Sequence, residues 1–290
     1  MFKTSVVTDE ISQDLETAVK FATEFGLEAV ELRRVWDKPP QELLGDINRI
    51  KKILEENHLN VIAIASPFFK SSINDPVEYE EHLNILRKCI ELAEALDCDI
   101  VRGFTFWREG TLDDRLEEIV EKYQKPLDIV ESSEIILGIE NEPSTFVGNG
   151  RECKIFLDEL NSSQVKAIWD PGNDIWDDLG EVPYPDGYNF IKNEIVHVHI
   201  KDGLRGEEKG NYRFVAFGEG EVDYRGQLKA LKKDGYTGYL SLETHWRLDP
   251  EPIQGSVDIN DTAFSSLGEA SSKICIQNLQ HMLKELMDEK

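Results

Sequence analysis

Four short hydrophobic segments in the second half of the chain each end at or beside a residue that can bind a metal ion. The segments are ILGIE, VKAIWD, IVHVHI and LSLE, and the four residues are Glu140, Asp170, His199 and Glu243. They follow one another at intervals of about 30 to 44 residues. Three hard carboxylates with one imidazole suit Mn²⁺, Mg²⁺ or Co²⁺, and Zn²⁺ also accepts such ligands. The sequence therefore predicts a divalent-metal site, with Mn²⁺ as the best-suited ion.

Strand-like apolar runs alternate with segments of helical period along all 290 residues. Eight strands and about eight helices are predicted, among them helices over Gln41–Asn57 and Leu112–Ser132. Regular alternation of this kind is typical of a parallel sheet covered by helices. We predict an α/β protein with a single (β/α)8 TIM barrel as one domain over residues 1–290. A doubly wound open sheet is less favoured, because no G-x-G-x-x-G turn follows any strand.

The four candidate ligands lie at the ends of the fifth to eighth predicted strands, which are neighbours around such a barrel. Residues at the carboxyl ends of barrel strands point into the pocket, so these side chains are expected to converge. Acids at these positions can also cap the helices that follow. The metal site is favoured because four crowded titratable groups repel one another unless a cation neutralises them. His197 is expected to be an interior histidine, one layer below His199.

The composition limits the kinds of partner. The chain has 57 acidic and 32 basic side chains and a formal charge of −25, which repels nucleic acid and anionic membranes. Neither a membrane span nor a signal peptide is predicted. The four cysteines show no C-x-x-C spacing, which favours a reducing compartment. We therefore expect a cytoplasmic protein without a nucleic-acid or membrane partner.

The turns around the candidate ligands resemble those of a known superfamily. ENEP follows the fifth strand, WDPGN the sixth, HVHIKD spans the seventh, and LETHW follows the last; GEGEVDY lies between them at Gly218–Tyr224. In this order and spacing they are similar to the xylose-isomerase-like TIM-barrel superfamily of sugar phosphate isomerases and epimerases. The resemblance covers essentially the whole chain. It also extends to dehydratases and to endonuclease IV, so it indicates the superfamily and leaves the reaction open.

The resemblance implies specific roles for the four residues. Glu140, Asp170, His199 and Glu243 would bind the metal ion. The two glutamates would also be the catalytic acid/base pair, each next to a reacting carbon of the substrate. A divalent ion on the substrate oxygens stabilises the enediolate that forms when a proton next to a ketone is removed.

Two departures from the family pattern narrow the prediction. Asn173 stands three residues after Asp170, where ketose 3-epimerases and endonuclease IV have a histidine. This weakens the assignment to a free-sugar epimerase. Ser66 and Phe104 end earlier strands where endonuclease IV has zinc-binding histidines. Together with the acidic charge, this argues against a role in DNA repair.

Five residues are predicted to bind the substrate. Lys201 and Arg205 follow His199, and the ketose epimerases also place a substrate-binding arginine six residues after that histidine. Arg102 adds a guanidinium in the fourth strand. Asn173 could cap a helix or bind a substrate hydroxyl. His245 lies two residues after the last glutamate. For the cations, the alternative is that they neutralise neighbouring acids.

The sequence favours a metal-dependent isomerase or epimerase acting on a sugar or sugar-like hydroxyketone, with a small carbohydrate as the substrate. One alternative is a lyase, such as an inosose dehydratase-like or keto-glycoside-cleaving enzyme, and another is a non-catalytic carbohydrate-binding barrel. Two irregular stretches, Asp202–Glu221 and Thr244–Ser266, are predicted to form the rim of the pocket. The second is also a candidate contact in a homo-oligomer.

Overall fold

Ten strands are present in the computed structural model, which describes residues 2–206, 212–248 and 265–289. In chain order they are β1 (Lys3–Val7), β2 (Ala29–Leu32), β3 (Asn60–Phe68), β4 (Ile100–Gly103), β5 (Ile136–Glu140), β6 (Val165–Trp169), β7 (Ile195–Ile200), β8 (Asp202–Arg205), β9 (Tyr212–Val215) and β10 (Tyr239–Leu242). Most are short runs rich in Val, Ile and Leu, typical of strands that are buried on both faces of a parallel sheet.

Eight of these strands form a closed parallel barrel. Each pairs with its neighbour in the order β1–β10–β7–β6–β5–β4–β3–β2, and β1 closes the ring against β2. The predicted (β/α)8 barrel is confirmed, with β10 as its eighth strand. That residues 1–290 form one domain stays a prediction. None of the described helices is both long and apolar enough to cross a membrane.

Helices of varied length connect the barrel strands. They are α1 (Thr8–Ile11), α2 (Leu15–Glu24), α3 (Ile47–Glu56), α4 (Pro76–Ala95), α5 (Leu112–Lys122), α6 (Gln124–Val130), α7 (Gly150–Leu160), α8 (Pro171–Asp174), α9 (Tyr188–Ile191), α10 (Tyr224–Lys233) and α11 (Gly268–Asp288). Side-chain caps define several starts. Asp75, for example, accepts hydrogen bonds from the backbone N–H groups of Val77 and Glu78, and Pro76 occupies the first helical position.

Two predicted helices differ from the structure for reasons of proline chemistry. The segment Leu112–Ser132 is two helices that meet at Tyr123. Pro126 lacks an N–H, and its ring would clash with the carbonyl four residues earlier in a continuous helix. The helix predicted from Gln41 begins only at Ile47, because residues 40–46 after Pro39 form two short 3-10 turns.

The stretch after β7 is more regular than predicted. Within Asp202–Glu221, strands β8 and β9 form an antiparallel hairpin. The Asp202 carboxylate fastens this hairpin, since its Oδ2 accepts hydrogen bonds of 3.0 Å from the backbone N–H groups of Gly218 and Gly220. Most of the second predicted rim segment, Thr244–Ser266, lies outside the described residues.

Candidate functional site

The four predicted metal ligands lie together at the carboxyl ends of neighbouring barrel strands. Glu140 ends β5, Asp170 follows β6, His199 lies in β7 and Glu243 follows β10. One ligand atom from each lies within 4.8 Å of the others, and all four residues are buried. His199 Nδ1 is 3.3 Å from Glu140 Oε1, 3.5 Å from Glu243 Oε2 and 3.8 Å from Asp170 Oδ2. The predicted convergence at the strand ends is therefore present.

Asn141 fixes the distance between the ends of β5 and β6. Its Nδ2 donates to the carbonyl of Asp170 at 2.8 Å, and its Oδ1 accepts from the Asp170 backbone N–H, also at 2.8 Å. The Asp170 side chain in turn caps α8 by accepting from the backbone N–H of Asn173 at 3.1 Å. The cap that the sequence allowed for Asn173 therefore belongs to Asp170.

The Asn173 side chain orients the first glutamate. Its Nδ2 donates to Glu140 Oε1 at 3.1 Å and to the Asn141 carbonyl at 2.8 Å, while its Oδ1 accepts from Trp176 Nε1 at 3.3 Å. The side chain is thus committed to protein partners next to the cluster. Its binding of a substrate hydroxyl stays a prediction.

Glu31 on β2 is a central residue that the sequence did not single out. Its carboxylate lies 3.1 Å from His199 Nε2 and 2.9 Å from His197 Nε2, and all three side chains are buried. A carboxylate on the far nitrogen of a ligating histidine fixes the tautomer and the ring orientation. His197 is the interior histidine that was expected. The signal for Glu31 was available, since a lone acid interrupts the apolar strand AVEL.

Lys201 is a buried cation that contacts two of the predicted ligands. It is 2% exposed, and its Nζ lies 2.8 Å from Asp170 Oδ2 and 2.9 Å from Glu243 Oε2. These carboxylates outweigh the effect of burial and raise the pKa of Lys201, so the side chain stays an ammonium. The Lys201 ammonium therefore lies next to two of the predicted metal ligands, Asp170 and Glu243. Its contact with a substrate stays a prediction.

Two buried arginines, Arg33 and Arg102, form ion pairs with the two candidate catalytic glutamates. Arg102 Nη1 donates to Glu140 Oε2 at 3.0 Å. Arg33 Nη1 lies 2.5 Å from Glu243 Oε1, and its Nη2 lies 2.9 Å from Glu10 Oε1. The substrate role predicted for Arg102 is not tested by these contacts, which show a guanidinium engaged with a candidate catalytic carboxylate.

Positive side chains of the protein itself balance the charge of the ligand cluster. The ligand cluster was expected to repel itself unless a metal ion neutralised it. Arg33, Arg102 and Lys201 provide positive charge from the protein itself, so crowding alone does not require a metal ion. The case for a metal rests instead on the donor types and their geometry.

The carboxyl groups of the cluster differ in their pKa values. Burial alone would raise the pKa of Glu140, but Arg102 and His199 have the larger combined effect and lower the pKa to about 2. Burial would also raise the pKa of Glu243, but Lys201, His245 and His199 together bring that pKa well below its usual range. At Asp170 burial prevails over Lys201 and raises the pKa to about 6. Both glutamates are therefore ionised at neutral pH.

The donor set fits a hard divalent ion. Three carboxylate oxygens and one imidazole nitrogen converge, which suits oxygen-preferring ions such as Mn²⁺ or Mg²⁺. Asp170 Oδ2 is a buried oxygen to which none of the described residues donates a well-formed hydrogen bond. Two other groups of side chains that could hold an ion overlap with this cluster. One consists of Glu31, His197 and His199, and the other of Glu10, Glu243 and His245.

Arg205 makes hydrogen bonds to the loop after β6. Its Nη2 donates at 2.8 Å to the carbonyls of Asp174 and Glu181, and its Nε donates to the carbonyl of Ile175. The guanidinium therefore fastens the loop after β6, which also carries Trp176. Direct binding of a substrate by Arg205 stays a prediction.

His245 and an aromatic wall flank the cluster. His245 Nε2 lies 3.6 Å from Glu243 Oε1 and 3.3 Å from Glu10 Oε1, and its side chain is 18% exposed. Its ring meets the edge of Phe214, while Trp176 stacks on Tyr212 with ring centroids 4.7 Å apart. The hairpin thus brings two aromatic rings to the site. The substrate role of His245 stays a prediction.

A pair of neighbouring carboxyl groups, one buried and one half-buried, also belongs to the loop after β6. Asp174 accepts a hydrogen bond from Asn141 Nδ2 at 2.9 Å, and its other oxygen faces Glu181. Burial and the neighbouring Glu181 raise the pKa of Asp174 well above its usual range. Glu181 accepts hydrogen bonds from the backbone N–H groups of Gly150 and Arg151 at the start of α7. The two neighbouring carboxyl groups thus form a pair that favours holding a proton.

Replacing Asp174 with asparagine should stabilise the protein, and more so as the pH rises. The raised pKa means that the stabilisation from protonated Asp174 is complete below the unfolded value of about 3.9 and is lost as the pH rises through the folded value. Asparagine keeps a donor at every pH. We expect Asp174→Asn to raise Tm by about 2–4 °C at pH 8, with a smaller effect at pH 5. Calorimetry measures this, with Asp158→Asn as the surface control. A Tm difference that shrinks as the pH rises would contradict the assignment.

Comparisons with known proteins agree with this geometry. Residues 19–259 match the family model described as "Xylose isomerase-like TIM barrel". The putative L-ribulose-5-phosphate 3-epimerase SgbU of Escherichia coli (strain K12) is 25% identical over 190 residues, which are 64% of this chain and 65% of that protein. The matched part is slightly less than two thirds of that relative's length.

Solved structures show the same fold. The IOLI protein, described with a binding zinc atom, has a TM-score of 0.77 at 16% identity, covering 98% of this chain and 99% of that one. The probable 3-DHS dehydratase AsbF from Bacillus anthracis has a TM-score of 0.73 at 18% identity, covering 96% and 99%. At such identities the likeness extends to the fold alone. Because the family match spans most of its length, this chain belongs to the xylose isomerase-like TIM barrel family.

Proposed function

We propose that this protein is a divalent-metal-dependent isomerase or epimerase that acts on a sugar or sugar-like hydroxyketone. The observation that carries the proposal is the buried convergence of three carboxylates and one imidazole at neighbouring strand ends. The name of the matched relative, an L-ribulose-5-phosphate 3-epimerase, supports this reaction class. The zinc atom in the IOLI structure supports a divalent ion in this fold.

Glu140, Asp170, His199 and Glu243 would hold the ion, and Mn²⁺ is the ion we propose. When bound, it supplies positive charge that stabilises the enediolate oxygens of the substrate. Glu31 keeps the His199 ring in place and leaves Nδ1 facing the carboxylates. The protein thus presents its four donor atoms in one pocket.

Glu140 and Glu243 are the proposed proton-transfer pair. Both are ionised in a buried site, and each is fixed by protein donors, so each can take a proton from a carbon beside the substrate carbonyl. Arg102 and Asn173 fix Glu140, while Arg33 fixes Glu243. Return of the proton to the neighbouring carbon gives isomerisation. Epimerisation needs a different proton on the opposite face of the same carbon: one glutamate takes the substrate proton, and the other, after gaining a proton from solvent, delivers that one. The first glutamate then gives its proton to solvent.

The substrate would lie between the cluster and the hairpin. We propose that Lys201, His245, Arg102 and Asn173 contact its oxygens, since all four border the predicted ligands. Aromatic rings such as Trp176 and Tyr212 can pack against the C–H faces of a sugar and exclude water. Arg205 would act through the loop that carries Trp176.

Proton NMR of the Mn²⁺-loaded protein in D₂O tests this function on a panel of ketoses, inososes and 3-keto-glycosides. We expect deuterium to enter the carbon beside the carbonyl of at least one ketose, with a change of configuration or of carbonyl position. Elimination of water or of an alcohol would assign the lyase alternative instead. No exchange and no turnover with any member would favour the non-catalytic barrel and contradict the proposal.

A further inference from the structure

The Lys201 ammonium contacts two oxygens that a metal ion would also use. Its Nζ lies 2.8 Å from Asp170 Oδ2 and 2.9 Å from Glu243 Oε2. These same two oxygens lie 3.8 Å and 3.5 Å from His199 Nδ1. An ion held by the carboxylates together with His199 therefore meets the positive charge of Lys201 at the same oxygens.

We propose that Lys201 is a displaceable internal cation that competes with the divalent ion for Asp170 and Glu243. Metal binding then releases its ammonium toward the substrate pocket. The inference rests on the proposed metal site. It adds a function for Lys201 that the ligand set alone does not imply: it lowers metal affinity, and it becomes available to the substrate only when metal is bound.

The two contacts of Lys201 are not equally strong. Glu243 Oε2 accepts a hydrogen bond from Nζ, whereas Asp170 Oδ2 is close to Nζ but has no aligned hydrogen bond from the described residues. The Asp170 oxygen is thus poorly satisfied by the ammonium. A divalent ion carries twice the charge and can bind more donor atoms at once, so it gains more from the same carboxylates.

Glu142 is the acid toward which the displaced ammonium would move. Burial raises the pKa of Glu142, but Lys70 and then Lys201 lower it, so the carboxylate already interacts with the Lys201 charge. Glu142 Oε2 lies 3.2 Å from Lys70 Nζ, and its side chain is 21% exposed. The flexible four-carbon stem of a lysine permits such a movement without a change in the backbone.

A purely structural role for Lys201 predicts the opposite sign. A cation that orients ligating carboxylates would belong to the outer shell of the site, and its loss would weaken metal binding by about 10–100-fold. Loss of a competing like charge strengthens metal binding instead. The metal dissociation constant of one variant therefore separates the two roles without any measurement of activity.

The test is the Mn²⁺ dissociation constant of the chelator-treated protein, measured by calorimetry for the wild type, Lys201→Met and Lys201→Arg. We expect Lys201→Met to bind Mn²⁺ about tenfold more tightly or better, because no ammonium competes. Lys201→Arg keeps the charge and should not show this gain. Lys166→Met is the matched control, since Lys166 lies on β6, the strand before Asp170, and its ion pair with Glu194 is outside the cluster.

If Lys201→Met folds poorly without metal, thermal denaturation with and without Mn²⁺ provides a second measurement. Its apo form should be less stable than the wild type, and Mn²⁺ should raise its Tm by more than it raises that of the wild type. An unchanged or weaker Mn²⁺ affinity in Lys201→Met, with binding intact in the wild type, would overturn the competition. Absence of Mn²⁺ binding in every variant would overturn the metal site itself and the competition with it.

Discussion

Glu140→Gln and Glu243→Gln should each nearly abolish the exchange of substrate hydrogen with solvent. Glutamine has the shape of glutamate but cannot accept a proton, and loss of a positioned general base costs about 10²–10⁴-fold in rate. The surrounding donors, Arg102 and Asn173 at Glu140 and Arg33 at Glu243, keep the glutamine side chains in place. The measurement is deuterium incorporation by NMR at saturating Mn²⁺, with the ion content of each variant determined in parallel.

Asp170→Asn separates loss of the ion from loss of proton transfer. Asp170 is proposed as a ligand only, so excess Mn²⁺ should restore part of the exchange in this variant. The same excess should restore nothing in Glu140→Gln or Glu243→Gln. Exchange at the wild-type rate in either glutamate variant would show that its carboxylate does not move the proton.

Glu31→Gln should weaken metal binding by about 10–100-fold and also lower stability. The Glu31 carboxylate serves two buried histidines at 2.9 and 3.1 Å, and a neutral amide cannot accept from both as well. Loss of a hydrogen bond to a buried charged group costs about 1.5–3 kcal/mol in unfolding free energy. Calorimetric titration with Mn²⁺ gives the affinity, and thermal denaturation gives the stability.

His197→Gln is the control for this prediction. It removes one partner of Glu31 while the contact with His199 remains. It should lower stability but leave the metal dissociation constant nearly unchanged. A Glu31→Gln variant that binds Mn²⁺ as tightly as the wild type would show that Glu31 is structural and does not position His199.

The sequence predicted the barrel and the convergence of the ligands because both follow from local patterns. Glu140, Asp170, His199 and Glu243 each stand at a recognisable strand end, and the carboxyl ends of parallel barrel strands meet at one face. The order of the strands around the barrel then brings β5, β6, β7 and β10 together. No long-range contact had to be known in advance.

The partners of these residues could not be predicted in the same way. Glu31 and His199 are 168 residues apart, and their contact depends on which residues of β2 and β7 point inward. A lone glutamate in AVEL marks an unusual position but does not name its partner. The contact of Arg33 with Glu243 spans 210 residues and depends on the same closure of the barrel.

Arg205 shows the limit of spacing arguments. Its distance of six residues from His199 suggested a side chain that reaches the substrate. Strand β8 instead directs the guanidinium toward three backbone carbonyls of the loop after β6. Side-chain direction in a rim hairpin depends on its pairing with β9, which the irregular pattern of Asp202–Glu221 did not reveal.

The most direct test of a metal-dependent proton transfer is deuterium incorporation into a ketose substrate in D₂O, followed by proton NMR through three states of one sample. We expect exchange with the Mn²⁺-loaded protein, its loss after chelation, and its recovery when Mn²⁺ is returned. Exchange that continues undiminished in the chelated protein, with the absence of ions verified by elemental analysis, would show that the proton transfer does not depend on a metal ion.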